Sequence, residues 1–157
     1  MKSGKLLRHI ILSGFCLLIW LFSLCSPRKN AQEIAWIYDM DSALTLAGQM
    51  QKPLMIDFMA TWCPPCKAME ESTFVDPLVM SKSKNFITVR IDVDKQTTVA
   101  NNYNGNARKY GGVGIPNILF LTPGQDTLRH IVGFYYPADL IAVMDSILMI
   151  FRPDTGK

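Results

Sequence analysis

The sequence predicts a single α/β domain built on a central mixed sheet with helices on both faces, and three observations carry that expectation. The chain has 157 residues, of which 49% are hydrophobic and 18% charged. That is enough apolar material for one core, and too short a chain for two domains of ordinary size. Strand-like and helix-like patterns alternate along the chain, as parallel crossover units require. The last two strand patterns are joined by the short turn Thr122-Pro123-Gly124-Gln125-Asp126, which suits an antiparallel hairpin and makes the sheet mixed.

Taken in order, residues 34–38 alternate loosely and predict a short strand. Asp41 or Ser42 then supplies a cap for a helix to about Gln51, where Lys52-Pro53 stops it. Residues 54–60 are almost continuously apolar, the pattern of a central strand covered on both faces. Helix-favouring residues from Lys67 to Glu71 follow, and Asp76-Pro77 predicts a break and restart. Residues 86–93 alternate as a strand, and 97–103 form a weaker helix. A loop rich in Asn and Gly covers 101–114, and strands are expected at 117–121 and 128–134. The last helix runs from Pro137 to about Ile150, with Leu140, Ile141, Met144, Ile147 and Leu148 along one face.

The N-terminus has a different character. Lys2, Lys5 and Arg8 precede an uncharged apolar run from residue 10 to 24, which is the layout of a secretory signal peptide or a short N-terminal membrane anchor. Residues 1–25 are therefore read as a leader, 26–33 as a linker, 34–152 as the folded domain and 153–157 as a tail. Ser23 and Cys25 offer small residues for cleavage before Ser26; retention of the segment as an anchor and lipidation of Cys25 are the alternatives. The basic start leaves everything after Ser26 outside the cytoplasm, periplasmic or otherwise extracytoplasmic, where disulfides persist. Membrane contact is expected only through this segment.

The charge balance follows from the same division. The net charge is +3, and the three basic residues of the leader account for it, leaving 13 basic against 13 acidic residues. A neutral domain without a basic cluster has no electrostatic reason to bind nucleic acid.

Of four cysteines, Cys16 and Cys25 lie in the leader, so only Cys63 and Cys66 belong to the domain, within Trp62-Cys63-Pro64-Pro65-Cys66-Lys67. A bridge across two residues closes almost no loop, so stability is a poor reason for the pair. Zinc wants four ligands, and the domain adds only His130 to the two cysteines, so no metal is expected. Redox chemistry remains. Cys63 falls where a buried strand meets the first turn of a helix, where free N–H groups and the helix dipole favour a thiolate and make it the nucleophile. Cys66, one turn later and deeper, is the resolving cysteine. Pro64 and Pro65 are tolerated in the first turn, but each removes a donor, so the activation of Cys63 is expected to be moderate.

With these residues placed, Asp57-Phe58-Met59-Ala60-Thr61-Trp62-Cys63-Pro64-Pro65-Cys66-Lys67 resembles the Asp-Phe-x-Ala-x-Trp-Cys-x-x-Cys-Lys signature of the thioredoxin superfamily. Thr73-Phe74-Val75-Asp76-Pro77-Leu78-Val79 is similar to the stretch after the active-site helix in the periplasmic C-terminal domains of the DsbD family. Gly114-Ile115-Pro116 resembles the superfamily's cis-proline loop. The likeness covers about residues 34–150. It implies a thioredoxin fold, an enzyme that exchanges thiols and disulfides, and no cofactor. It also implies a cis Pro116 whose loop, with Ile115, offers backbone hydrogen bonds to an extended substrate.

Asp57, a carboxylate in an apolar strand, is expected to have a raised pKa and to transfer protons near Cys66. Trp62 is expected to cover the site and contribute to the partner surface. Arg90 is within reach of Asp57 but reads as an exposed strand charge, Lys67 as a solvated helix residue, and Trp36, His130, Tyr135 and Tyr136 as packing residues. The expected partners are protein disulfides and a membrane electron donor that recycles the pair, with the domain itself monomeric. The same dithiol could instead run as an oxidase or isomerase, or the fold could serve as a client-binding assembly module without turnover.

Overall fold

The computed structural model describes residues 33–152. The leader at 1–25, most of the linker and the tail at 153–157 lie outside the described residues. Among those described, no helix is long and apolar enough to cross a membrane.

The first helix, α1 (Met40–Met50), starts earlier than the sequence suggests. Asp39, not Asp41 or Ser42, is the cap, because its extended backbone lets the carboxylate accept from Ser42 N at 2.8 Å. Four strands follow: β1 (Leu54–Met59), β2 (Ile87–Asp92), β3 (Asn117–Leu121) and β4 (Thr127–Val132). They form one sheet in the order β2-β1-β3-β4. β1 runs parallel to β2 and antiparallel to β3, and β3 pairs antiparallel with β4. The sheet is therefore mixed, with the two central strands buried along almost their whole length.

The strand expected at 34–38 shrinks to a single bridge. Ile37 N donates to Thr88 O and Ile37 O accepts from Arg90 N, a lone parallel rung beside β2. Its neighbour Trp36 turns inward instead, packing edge-on against Phe74 with ring centroids 5.2 Å apart.

The segment after β1 is helical in two modes. α2 (Pro64–Ala68) passes into a π turn over Met69–Thr73, closed by Phe74 N donating to Met69 O at 2.9 Å. The wider turn carries one extra residue, so Met69, Thr73 and Phe74 all face the interior. The expected break at Asp76-Pro77 is a restart: Asp76 accepts from Leu78 N and Val79 N and caps α3 (Pro77–Ser83). A short α4 (Thr97–Asn102) follows β2, then a 3₁₀ turn at Arg108–Tyr110 within the Asn/Gly-rich loop. The chain closes with α5 (Pro137–Ile150).

Period-two alternation along β1 divides the core between the faces of the sheet. Ile56 and Phe58 join Ala43 and Ala47 of α1, together with both cysteines. Met55 joins Met69, Phe120, Leu140 and Met144 under α5. Helices therefore cover both faces, and the short turn that leaves β1 reaches Cys63.

One close approach ties the Asn/Gly-rich loop to β1. A Cβ on Gly105 would sit 2.2 Å from the buried Phe58 ring. Overpacking of this kind typically costs about 1–3 kcal/mol. Gly105→Ala is expected to lower the urea midpoint by at least that equivalent, whereas Gly48→Ala, with open space around its Cβ position in α1, is expected to leave it level or raise it slightly.

Candidate active site

The site begins with the turn that leaves β1. Cys63 N donates to Ala60 O at 3.1 Å, and Cys63 itself is extended, with φ −86° and ψ 106°. It is the N-cap of α2, and its Sγ accepts from Cys66 N at 3.3 Å. Pro64 and Pro65 occupy the first two helical positions, where a missing N–H breaks no helix bond. They also leave Cys66 N as the first N–H of α2 able to reach the sulfur. Cys63 and Cys66 are joined as a disulfide, with their Cα atoms 5.3 Å apart. The sequence placed Cys66 deeper, but in the bonded pair the two are equally sheltered, at 2% and 5% exposure. Both sulfurs belong to the apolar cluster against which Ile115 packs.

The Ile115–Pro116 peptide is cis and stands at the start of β3. Because Phe58 pairs with Asn117, Pro116 arrives level with the end of β1. Pro116 O accepts from Gly133 N at 2.8 Å, anchoring the loop to the exit of β4. Asn117 completes the support. Its fully buried amide nitrogen donates to Gly114 O at 2.6 Å and to Gly105 O at 3.1 Å. The amide oxygen is therefore an acceptor facing His130 Nε2 at 2.9 Å, which assigns the proton to that nitrogen. Half-burial holds His130 below its ordinary pKa, favouring the neutral ring. His130 thus braces the cis-proline loop through Asn117. The sequence marks neither residue, since the contact joins separate strands.

Asp57 lies on the opposite face of β1 from Phe58, and burial pushes its carboxyl up from 3.8 to about 6. Arg90 opposes that shift, with Nε 3.0 Å from Asp57 Oδ2. The sequence read Arg90 as an exposed strand charge; it is instead buried, and Glu70 of the π turn takes its Nη1 at 2.9 Å. Its guanidinium also lies 4.3 Å from the Trp36 ring centroid and 5.3 Å from that of Phe74. Trp36, expected only to pack, forms part of this box. The Asp57 carboxylate bonds Arg90, and among the described residues it makes no hydrogen bond to either cysteine sulfur.

Trp62 is 44% exposed beside the disulfide and is fixed from one side. Its indole N–H donates to Asp94 Oδ2, while Tyr110 Oη donates to Asp94 Oδ1. These two bonds, Tyr110 first, hold the Asp94 carboxyl below its ordinary value. Lys109 Nζ sits 3.7 Å from the Trp62 ring centroid. Between Trp62 and the cis-proline loop an open groove of about 390 Å³ is lined by Ile115, Val132 and Gly133. Lys67 is exposed, Tyr135 lends its carbonyl to Thr73 Oγ1 at 2.6 Å, and Tyr136 is exposed against Phe134. No group of three or more His, Cys, Asp or Glu is placed to hold a metal among the described residues.

The thioredoxin-like family profile matches residues 35–123, more than half of the chain. The chain belongs to the thioredoxin-like family. The Cys63–Cys66 pair is the dithiol/disulfide centre that an oxidoreductase of this family requires. Among curated relatives, the thiol:disulfide interchange protein DsbD of Campylobacter jejuni is 28% identical over 120 residues, 76% of this chain. The chain spans only about a fifth of that relative's length, 20%. Among solved structures, a thioredoxin from Thermus thermophilus superposes with a TM-score of 0.59 at 23% identity, covering 71% of this chain and 85% of that one. The oxidised DsbD C-terminal domain of Neisseria meningitidis gives 0.57 at 22% identity, covering 71% and 98%. These likenesses carry the thioredoxin fold.

The raised Asp57 pKa has a signed consequence for stability. Between about pH 4 and 6 the native carboxyl holds a proton that the unfolded chain has released, so the unfolding free energy falls as pH rises through that window. The expected loss is on the order of 2–3 kcal/mol, because each tenfold difference in proton affinity between the native and unfolded carboxyl is worth about 1.4 kcal/mol. Denaturant midpoints measured from pH 4 to 7 are expected to show this decline in the native protein, and Asp57→Asn is expected to flatten it. In Arg90→Met the carboxyl titration, read by NMR, is expected to move above 6, because the opposing charge is gone.

Proposed function

We propose that this chain is an extracytoplasmic thiol:disulfide oxidoreductase that reduces or exchanges protein disulfides through Cys63 and Cys66. The observation that carries the reading is the position of the disulfide, at a helix N-cap, beside a cis-proline loop and at the edge of an open groove. In the reduced enzyme the Cys63 thiolate attacks one sulfur of a client disulfide, and the other client sulfur leaves as a thiolate. Cys66, deprotonated in turn, attacks Cys63 Sγ, frees the second client sulfur and closes the Cys63–Cys66 bond. Client and enzyme thus exchange two electrons. Asp57 is the proposed proton acceptor for Cys66. Because it bonds Arg90 and neither sulfur, it acts through an intervening water or after a shift of the reduced helix. Trp62 and the Ile115–Pro116 loop form the client-facing walls.

The proposed location rests on the leader pattern, with residues 1–25 acting as the export signal or anchor. It carries a corollary for recycling: an exported dithiol is out of reach of soluble cytoplasmic reductants, so its electron donor is a membrane protein. The DsbD relatives, named for thiol:disulfide interchange, support the exchange chemistry itself.

The testing experiment is Cys66→Ser expressed in its native host. It is expected to accumulate mixed disulfides at Cys63 with client proteins, visible on non-reducing gels and lost on reduction. Cys63→Ala is expected to abolish both the adducts and turnover. Full biological activity of Cys63→Ala would overturn the enzymatic reading in favour of a client-binding module.

A further inference from the structure

The groove beside the disulfide is chemically one-sided. Its apolar walls, Ile115 and Val132, meet two cations, Arg108 and Lys109, and no carboxylate lines it. The two cations are differently engaged. Lys109 is held within the protein, 3.7 Å from the Trp62 ring centroid and 3.9 Å from Asp94. Asp94, the nearby carboxylate, already accepts from Trp62 and Tyr110. The guanidinium of Arg108 has no hydrogen-bond or ion-pair partner among the described residues, and its side chain is exposed. Its Nε lies 4.0 Å from the position a Cβ on Gly114 would occupy, beside the peptide that leads into Ile115–Pro116.

We propose that Arg108 is a specificity residue, selecting client segments in which a carboxylate flanks the disulfide cysteine. The proposal rests on the dithiol reading above and names its substrate class: an extended acidic segment lying along the cis-proline loop. A guanidinium receives a carboxylate through two parallel N–H donors, a geometry that an ammonium side chain on the client repels instead of matching. Lys109 adds to the same field without being free to pair, so a basic client segment meets two like charges and no compensating acid.

The test uses the reduced, full-length protein and three short peptides, each with one cysteine flanked on both sides by Glu, Gln or Lys. Each cysteine is presented as a mixed disulfide with thionitrobenzoate. The Cys63 thiolate attacks the peptide sulfur and coloured thionitrobenzoate leaves; Cys66 then displaces the peptide as a thiol and the pair is oxidised. The rate of colour release reports the step in which the peptide is docked.

The Glu peptide is expected to react roughly three- to tenfold faster than the Lys peptide at low ionic strength, with Gln between, the size expected of one partly exposed charge pair. The ratio is expected to shrink in ~0.5 M salt, where the screening length falls to about 4 Å. Arg108→Gln is expected to flatten the ratio and Arg108→Glu to invert it. Since the readout is a ratio within one protein, a general loss of rate cancels. An unchanged ratio in both variants overturns the proposal while leaving the dithiol reading intact. Absence of colour release from all three peptides overturns both.

Discussion

The site depends on β1 being hydrogen-bonded on both sides. A strand with a parallel neighbour and an antiparallel neighbour brings the end of its own run and the beginning of the antiparallel one to the same edge of the sheet. Phe58 opposite Asn117 is the rung that sets this, placing Pro116 level with the last residues of β1 and Cys63 a tight turn further on. A slip of one residue would reverse every side chain of β3, turning the Asn117 amide away from the Gly114 carbonyl and moving Ile118 and Phe120 from the cluster under α5 to the opposite face of the sheet. The fit of alternate β3 side chains into two different clusters, with the Asn117 amide held by two carbonyls, resists the slip and so positions the chemistry. His130 reinforces it from β4, holding Asn117 in the single amide orientation that can satisfy two carbonyls.

A second constraint acts on the sulfur. A helix N-terminus normally offers several free N–H groups to an anion, but the double proline removes the first two, and Cys66 N is left to reach Cys63 Sγ. A thiolate released at Cys63 would thus find one N–H of the first turn within reach, where a turn without prolines offers several. Glu70 is turned toward Arg90, which offsets its charge. The π turn makes this possible: with its extra residue, Met69 and Phe74 both pack inward while Glu70 stays within reach of β2.

How much of this was legible in the sequence follows from the range of the interactions involved. β3 and α5 lie at their expected residues because each is defined by its own local signals: a fully apolar run, and a proline start followed by a helical stripe. The dithiol was legible for the same reason, as spacing within one turn. The strand at 34–38 failed because Trp36 is taken into the box around Arg90, leaving Ile37 alone to pair. Arg90 itself looked exposed because a charge alternating with apolar residues is normally at the solvent face; only the parallel register, which sets it beside Asp57, reverses that. The π turn breaks the 3.6-residue period on which any helical reading of 67–73 relies. Asp94, Lys109 and Tyr110 assemble around Trp62 from two loops, with nothing local to announce them.

The charged trio of Asp57, Arg90 and Glu70 takes two of its charges, Asp57 and Arg90, out of water, and its arrangement bears on what it is for. Two carboxylates share one guanidinium, and only one is sheltered: Asp57 is nearly inaccessible while the Glu70 side chain is 55% exposed. Were the purpose stability alone, an apolar residue at 57 would pack between Met55 and Met59 without desolvating a charge. Instead the sheet keeps a carboxyl whose burial and whose partner pull its pKa in opposite directions, leaving it at about 6. A group so balanced changes protonation with small changes in its surroundings, and Glu70, which shares its guanidinium, stands on the π turn that continues the helix begun at Cys63. The trio therefore joins the sheet to the redox helix through charge as well as packing.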